Sequence, residues 1–173
     1  VGWTFKNSKN EIEPDKGIGL QPDNSHHVTN GAIQAIRTAP RDKPFFVHVN
    51  LAFPHDPRQW PKGMTDRYSS DNMKLPANFA KQHPFDHGNL EGRDERLLPK
   101  PLNEKDVRDE LAIYYAMISD VDTHVGHLIE TLVETNQLEN TLIVFTSDQG
   151  LALGSHGLLG KQNQYEHSIR SPR

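Results

Sequence analysis

The sequence lacks cysteine, which excludes disulfide bonds and thiolate zinc sites. It also lacks any run of about 18 consecutive apolar residues, the length that a membrane-spanning helix requires. Apolar residues make up only 34% of the chain, so we expect some stretches to be rich in loops. The net charge is −4 and no basic stripe is present. We therefore expect no membrane span and no nucleic-acid partner.

The chain has 173 residues, which is the size of one domain or of part of a larger one. It begins at Val1 rather than Met, and residues 168–173 carry no terminating feature. We expect the N-terminal and C-terminal parts of a longer protein to be missing from it. The residues themselves do not indicate a cellular location.

Helical and strand-like patterns alternate along the chain. A helix is predicted from Ser25 to the residues before Pro40, and a second from an N-cap at Asn103. Residues 44–51 and 141–146 are short apolar runs typical of strands. The second helix is expected to be buried along one face, formed by Leu111, Tyr115, Ile118, Val121, Val125, Leu128, Leu132 and Val133. This order predicts an α/β fold with a mainly parallel sheet flanked by helices.

Residues 58–102 contain five prolines and no sustained periodicity. A stretch of this length without regular structure is uncommon inside a domain. We expect a loop-rich surface excursion with a few short helices. Its histidines, His83 and His87, are compatible with a substrate pocket or with a solvated loop.

Asp148 and Gln149 directly follow the second predicted strand, where ligands bind in open α/β sheets. Their side-chain oxygens suit a hard divalent cation, although Asp148 could equally cap the next turn. Four glycines then precede Lys161, a donor suited to an anionic oxygen. Composition alone favours a flexible loop with a solvated lysine there. His55 lies between Pro54 and Pro57, in a loop that these prolines make rigid.

Three segments, in order, resemble motifs of the sulfatase family, within the alkaline-phosphatase-like superfamily. Residues 44–57 resemble its Pro-Phe-Phe strand and the His-containing proline loop that follows. Residues 114–126 resemble its Tyr-Tyr-Ala helix. Residues 145–172 resemble its signature, with Thr-Ser-Asp-Gln-Gly, Gly-Lys and Tyr-Glu-x-Ser-x-Arg-x-Pro in sequence. The resemblance implies a partial alkaline-phosphatase-like sandwich, with residues 1–173 forming part of a sulfatase catalytic domain.

The resemblance also implies residue roles. Asp148 and Gln149 would ligate a divalent cation, usually Ca²⁺, with Mg²⁺ as the alternative. Gln149 is a departure, because the family often has Asn or His there. Lys161 and His55 would bind the sulfate ester and catalyse its cleavage, with His55 a candidate general acid. The substrate would be a sulfated small molecule or glycan, and the location periplasmic or secreted.

The family's nucleophile, formylglycine, arises from Cys or Ser two residues before a proline. No proline in this sequence has either residue at that position. We therefore expect formylglycine outside this sequence, and this chain alone to be inactive. Two alternatives stay open: a phosphodiesterase or phosphonate monoester hydrolase of the same superfamily, and a degenerate, non-catalytic member acting as a binding domain.

On the second predicted helix, Asp120, His124 and His127 share one face at i, i+4 and i+7. That spacing could support a metal ion. A polar helix face is the simpler interpretation.

Overall fold

The computed structural model of the chain describes residues 21–171. Residues 1–20 and 172–173 of the predicted catalytic domain lie outside this range, as does Pro172 of the third motif. Helix α1 spans Asn24–Thr38, α2 spans Glu104–Glu134 and α3 spans Glu166–Ile169, and short 3₁₀ helices cover Ser70–Asn72, Arg93–Arg96 and Leu138–Asn140.

The two long helices confirm the periodicity seen in the sequence. Asn103 caps α2 as predicted, because its side-chain oxygen accepts the backbone N–H of Lys105 at 2.8 Å. Helix α1 ends before Pro40, where the chain becomes extended at Ala39. Neither these helices nor any other helix within residues 21–171 is long and apolar enough to cross a bilayer.

The chain divides into two compact units, and α2 contributes to both. Within the described residues, the first unit comprises residues 21–66 and 114–142. Its buried apolar side chains come from both long helices and the loop between them: Ala32, Ile36, Phe53, Ala116, Met117, Val121 and Leu132. They form the core of this unit.

The buried stripe of α2 differs from the predicted one. Tyr115, Ile118 and Val133 were expected in the core but are 47%, 39% and 54% exposed. Leu111, Val121 and Leu132 are buried as predicted, and the buried face also includes Asp120 and His124, each 8% exposed. The polar helix face that the sequence indicates is therefore buried at these two residues. The apolar pattern ran almost around the helix, and packing against α1 was not visible in it.

The second unit comprises residues 67–113 and 143–171. Its centre is the glycine-rich loop, residues 150–160. The loop folds back on itself, since the N–H of Ala152 bonds to Gly160 and that of Gly154 to Leu158, at 3.0 and 2.8 Å. Leu158 and Leu159 are fully buried, which stabilises the unit by about 1.5–3 kcal/mol each.

The predicted sheet is not formed within residues 21–171. Residues 44–51 and 141–146 are not assigned as strands, and the described part of the chain contains only an isolated bridge between Phe79 and Ser155. A strand is defined by hydrogen bonds to a neighbouring strand, and these two segments have no such neighbour here. Their apolar side chains are accordingly uncovered: Phe46 is 90% exposed and Leu142 is 89% exposed. The strand predictions for this chain are not confirmed.

Candidate active site

The loop that carries His55 belongs to the first unit. The backbone N–H of His55 bonds to the carbonyl of Ala52 at 2.9 Å, which closes a turn directly after the predicted strand. The Nδ1 atom of the ring lies 2.6 Å from the carbonyl oxygen of Asp56. A carbonyl only accepts, so Nδ1 carries a proton. Any proton given to a substrate would therefore leave from Nε2.

Two buried charged residues, Asp56 and Arg58, follow His55 closely in the sequence. The side chain of Asp56 is 2% exposed, and its Oδ1 lies 3.7 Å from Nδ1 of His55. Arg58 is 8% exposed. Burial raises the pKa of nearby Tyr114, and the positive charge of Arg58 opposes that shift. The buried carboxylate of Asp56 therefore adjoins the ring of His55.

Asp148 and Gln149 lie in the second unit, and both are exposed. Their segment is anchored on both sides: Ser147 Oγ donates to the carbonyl of Gln149 at 2.9 Å, and the N–H of Gly150 bonds to Ser168 at 3.0 Å. Gly150 has no room for a side chain, because a Cβ there would overlap the carbonyl of His167. The third motif is thus held against the end of the second predicted strand.

The donor chemistry of Asp148 and Gln149 fits a hard cation, since each offers a side-chain oxygen. Within residues 21–171, however, no group of three His, Asp or Glu side chains is arranged to hold a metal ion. Asp148 and Gln149 stay candidate ligands.

Lys161 follows the buried loop, and only 14% of its side chain is exposed. Its Nζ lies 3.3 Å from Oδ2 of Asp94, a side chain with no exposure. Gln162 donates to the same oxygen at 2.8 Å. The solvated lysine in a flexible loop that composition favoured is not what the structure contains.

Asp94 is held as a carboxylate by its neighbours. Burial alone would raise its pKa, but hydrogen bonds from Arg93 and Gln162 and the charge of Lys161 outweigh burial. The pKa of Asp94 is consequently well below its usual range. A permanent negative charge therefore lies beneath the ammonium of Lys161.

Glu95 supports the backbone of the same loop. Its carboxylate accepts the N–H of Leu159 at 2.9 Å and that of Gly160 at 2.8 Å. Lys100 donates to it at 3.1 Å and to the carbonyl of Gly157 at 2.7 Å. These contacts fix the backbone immediately before Lys161.

Sequence reasoning missed Asp94 and Glu95. They occur in an Arg-Asp-Glu-Arg run, which in a proline-rich segment is typical of a solvated surface. Their hydrogen-bond partners Leu159, Gly160 and Gln162 lie more than 60 positions away along the chain. A single sequence gives no signal for such a contact.

An imidazole-rich cluster surrounds the third motif. The rings of Tyr165 and His156 stack at 4.2 Å, and His83 and His167 each lie within 6 Å of Tyr165. The Nδ1 atom of His83 donates to the carbonyl of His156 at 2.8 Å. Burial lowers the pKa of His167, and the nearby His156 adds to that shift. His83 therefore packs against the signature rather than standing in solvent.

The predicted site residues are divided between the units. Asp148, Gln149 and Lys161 belong to the second unit, and His55 belongs to the first. Their convergence around one pocket stays a prediction.

Comparisons with known proteins identify the same family as the sequence motifs. The sulfatase family model matches residues 4–173. Among curated proteins, the chain is 31% identical to an arylsulfatase of Clostridium perfringens over 145 residues, covering 84% of the chain and 30% of the relative. It is 34% identical to the multifunctional alkaline phosphatase superfamily protein PehA of Trinickia caryophylli over 149 residues, covering 75% and 28%. The chain thus spans less than a third of these relatives' length.

Two solved structures have a fold similar to that of this chain. A phosphonate monoester hydrolase of Agrobacterium radiobacter matches with a TM-score of 0.75 at 23% identity, covering 90% of this chain and 33% of that one. The corresponding enzyme of Silicibacter pomeroyi matches with a TM-score of 0.69 at 22% identity, covering 99% and 36%. At these identities the similarity establishes an alkaline-phosphatase-like fold and nothing about substrate.

Proposed function

This chain belongs to the sulfatase family, and on that premise we propose that the full-length protein hydrolyses sulfuric esters. Water is consumed, the bond between sulfur and the ester oxygen breaks, and an alcohol and sulfate are released. The observation that carries the proposal is the placement of Lys161, whose ammonium is held at the end of a buried loop by a buried carboxylate. A fixed cation of this kind suits an anionic sulfate oxygen.

The roles we propose follow the chemistry of each side chain. Lys161 binds a sulfate oxygen and offsets the charge that develops as the ester bond breaks. His55, in its doubly protonated form, donates the Nε2 proton to the leaving oxygen and keeps the Nδ1 proton, while its bond to Asp56 fixes the ring. Asp148 and Gln149 would hold a divalent cation, Ca²⁺ or Mg²⁺, which supplies further neutralisation of the sulfate charge. The nucleophile, formylglycine, would lie outside this sequence.

A phosphonate monoester hydrolase is the second candidate. The two solved structures of similar fold bear this name, and the support for it comes from the 34% identity to a relative named as multifunctional. The curated relatives named as sulfatases, which include a choline-sulfatase of Rhizobium meliloti at 34% identity, favour the first candidate. We further propose that the substrate is a sulfated small molecule or glycan and that the protein is periplasmic or secreted.

Hydrolysis of p-nitrophenyl sulfate and of a p-nitrophenyl phosphonate ester by the full-length protein would separate the candidates. We expect a higher kcat/KM for the sulfate. A preference for the phosphonate would replace the first candidate with the second. Activity on neither, with metal present, would favour a non-catalytic binding domain.

Two variants test the residue roles. Lys161→Ala should lower kcat by about 10²–10³, whereas Lys74→Ala, at an exposed lysine of the same unit, should not. Asp148→Ala should lower metal affinity and activity together. A metal requirement left unchanged in Asp148→Ala would remove that residue from the proposed ligand set.

A further inference from the structure

The second unit buries two adjacent carboxylates beneath the loop that ends at Lys161. Asp94 and Glu95 lie in the 3₁₀ helix Arg93–Arg96, and their exposed fractions are 0% and 2%. Removing a carboxylate from water costs several kcal/mol unless its partners compensate. The hydrogen-bond and ion-pair partners of each carboxylate therefore indicate which part of the structure that carboxylate holds in place.

The two carboxylates have different kinds of partner. Glu95 accepts backbone N–H groups from Leu159 and Gly160, so it holds the chain. The partners of Asp94 are the side chains of Arg93, Lys161 and Gln162. Since Glu95 already fixes the backbone, closing the loop does not require Asp94.

The approach of Asp94 to the loop depends on Gly160. A Cβ at position 160 would lie 2.7 Å from the Cβ of Asp94, which is closer than side chains pack. The glycine thus lets the carboxylate sit directly under the residue that precedes Lys161.

Several cations surround the two carboxylates. Arg93 and Lys161 pair with Asp94, and Lys100 pairs with Glu95. Asp94 is therefore shared between Arg93 and Lys161 and does not pair with Lys161 alone.

We propose that Asp94 is a positioning residue, which holds the Lys161 ammonium where it meets an anionic oxygen of the substrate. Glu95 fixes the backbone of the same loop, and Asp94 fixes the side chain. This inference rests on the proposed role of Lys161. It adds a residue from the loop-rich segment to the functional machinery.

A double-mutant cycle on the full-length protein tests it, with p-nitrophenyl sulfate as the probe. Asp94→Asn keeps the shape of the side chain and removes its charge. We expect kcat/KM to fall about 10–100-fold, as is typical when the partner of a functional group is lost. In a Lys161→Gln background the same change should alter kcat/KM less than about 2-fold, because Asp94 acts through Lys161. Glu91→Gln, an exposed carboxylate nearby, serves as the control and should change nothing.

The outcomes separate this inference from the proposed function. If Lys161→Gln leaves hydrolysis unchanged, the role of Lys161 itself is wrong. If Lys161→Gln lowers activity and Asp94→Asn does not, the role of Lys161 stands and the positioning role of Asp94 is overturned. Equal losses from Asp94→Asn in both backgrounds would make Asp94 a structural residue, which also overturns the inference.

A second variant covers failure of Asp94→Asn to fold. Asp94→Glu keeps the negative charge and moves it by one methylene. We expect an activity between those of wild type and Lys161→Gln, with inorganic sulfate inhibiting more weakly than in wild type. Both differences should disappear in the Lys161→Gln background, and their persistence there would contradict the proposal.

Discussion

Replacing Glu95 with glutamine tests how much free energy the Glu95 carboxylate contributes to the stability of the glycine-rich loop. Its four contacts are to Gly160 N at 2.8 Å, Leu159 N at 2.9 and 3.2 Å, and Lys100 Nζ at 3.1 Å. Glutamine has one acceptor oxygen and one NH₂ group in the same positions. Whichever way it turns, an NH₂ faces a backbone N–H or the Lys100 ammonium.

The magnitude follows from these contacts. A hydrogen bond to a charged group contributes about 1.5–3 kcal/mol, and a buried donor left without an acceptor costs about 1–3 kcal/mol. The Lys100 side chain is 28% exposed, so solvent screening limits the contribution of its ion pair with Glu95 to no more than about 1 kcal/mol. We expect Glu95→Gln to destabilise the loop by about 3 kcal/mol.

Hydrogen exchange of the full-length protein measures this locally. A loss of about 3 kcal/mol speeds amide exchange across residues 150–162 by about two orders of magnitude, since each 1.4 kcal/mol is tenfold. Glu91→Gln carries the same charge change at an exposed site and should leave exchange as in wild type. Exchange within about threefold of wild type in Glu95→Gln would refute the reasoning.

Three further results are expected from the described contacts. Gly157→Ala should lower the free energy of unfolding by more than about 2 kcal/mol, because the φ of Gly157 is +75°, a conformation that L-residues rarely adopt, and a Cβ there would overlap the backbone of Gln82. Gly31→Ala should raise it by about 1 kcal/mol, because Gly31 lies inside α1 with open space around it. Burial lowers the pKa of His124 and of His167 below the ordinary 6.5, so stability should fall as the pH drops below 6.5, where the unfolded chain takes up the protons first.

Each of these has a contrary outcome. Urea unfolding that ranks Gly157→Ala level with Gly31→Ala would show that the loop can adapt to a side chain. Replacing His167 with Asn should weaken the pH dependence between pH 7 and pH 5. Identical pH profiles for the variant and the wild type would mean that the pKa of His167 is the same in the folded and the unfolded protein.

The family, the two long helices and the candidate ligands can all be read from the order of the amino acids. Helices are readable because their signals are local: Asn103 caps α2, and Pro40 follows α1. The motif around Asp148 and Lys161 is likewise contiguous, so its order along the chain suffices to recognise it.

Which side chains are buried and which segments find a partner becomes visible only in the folded chain. It buried Asp94 and Glu95, set the stripe of α2 that faces α1, and left residues 44–51 and 141–146 without partner strands. Burial and strand pairing depend on groups distant in sequence, and pairing further requires a neighbouring strand, which residues 21–171 do not supply. Local propensity carries no information about either.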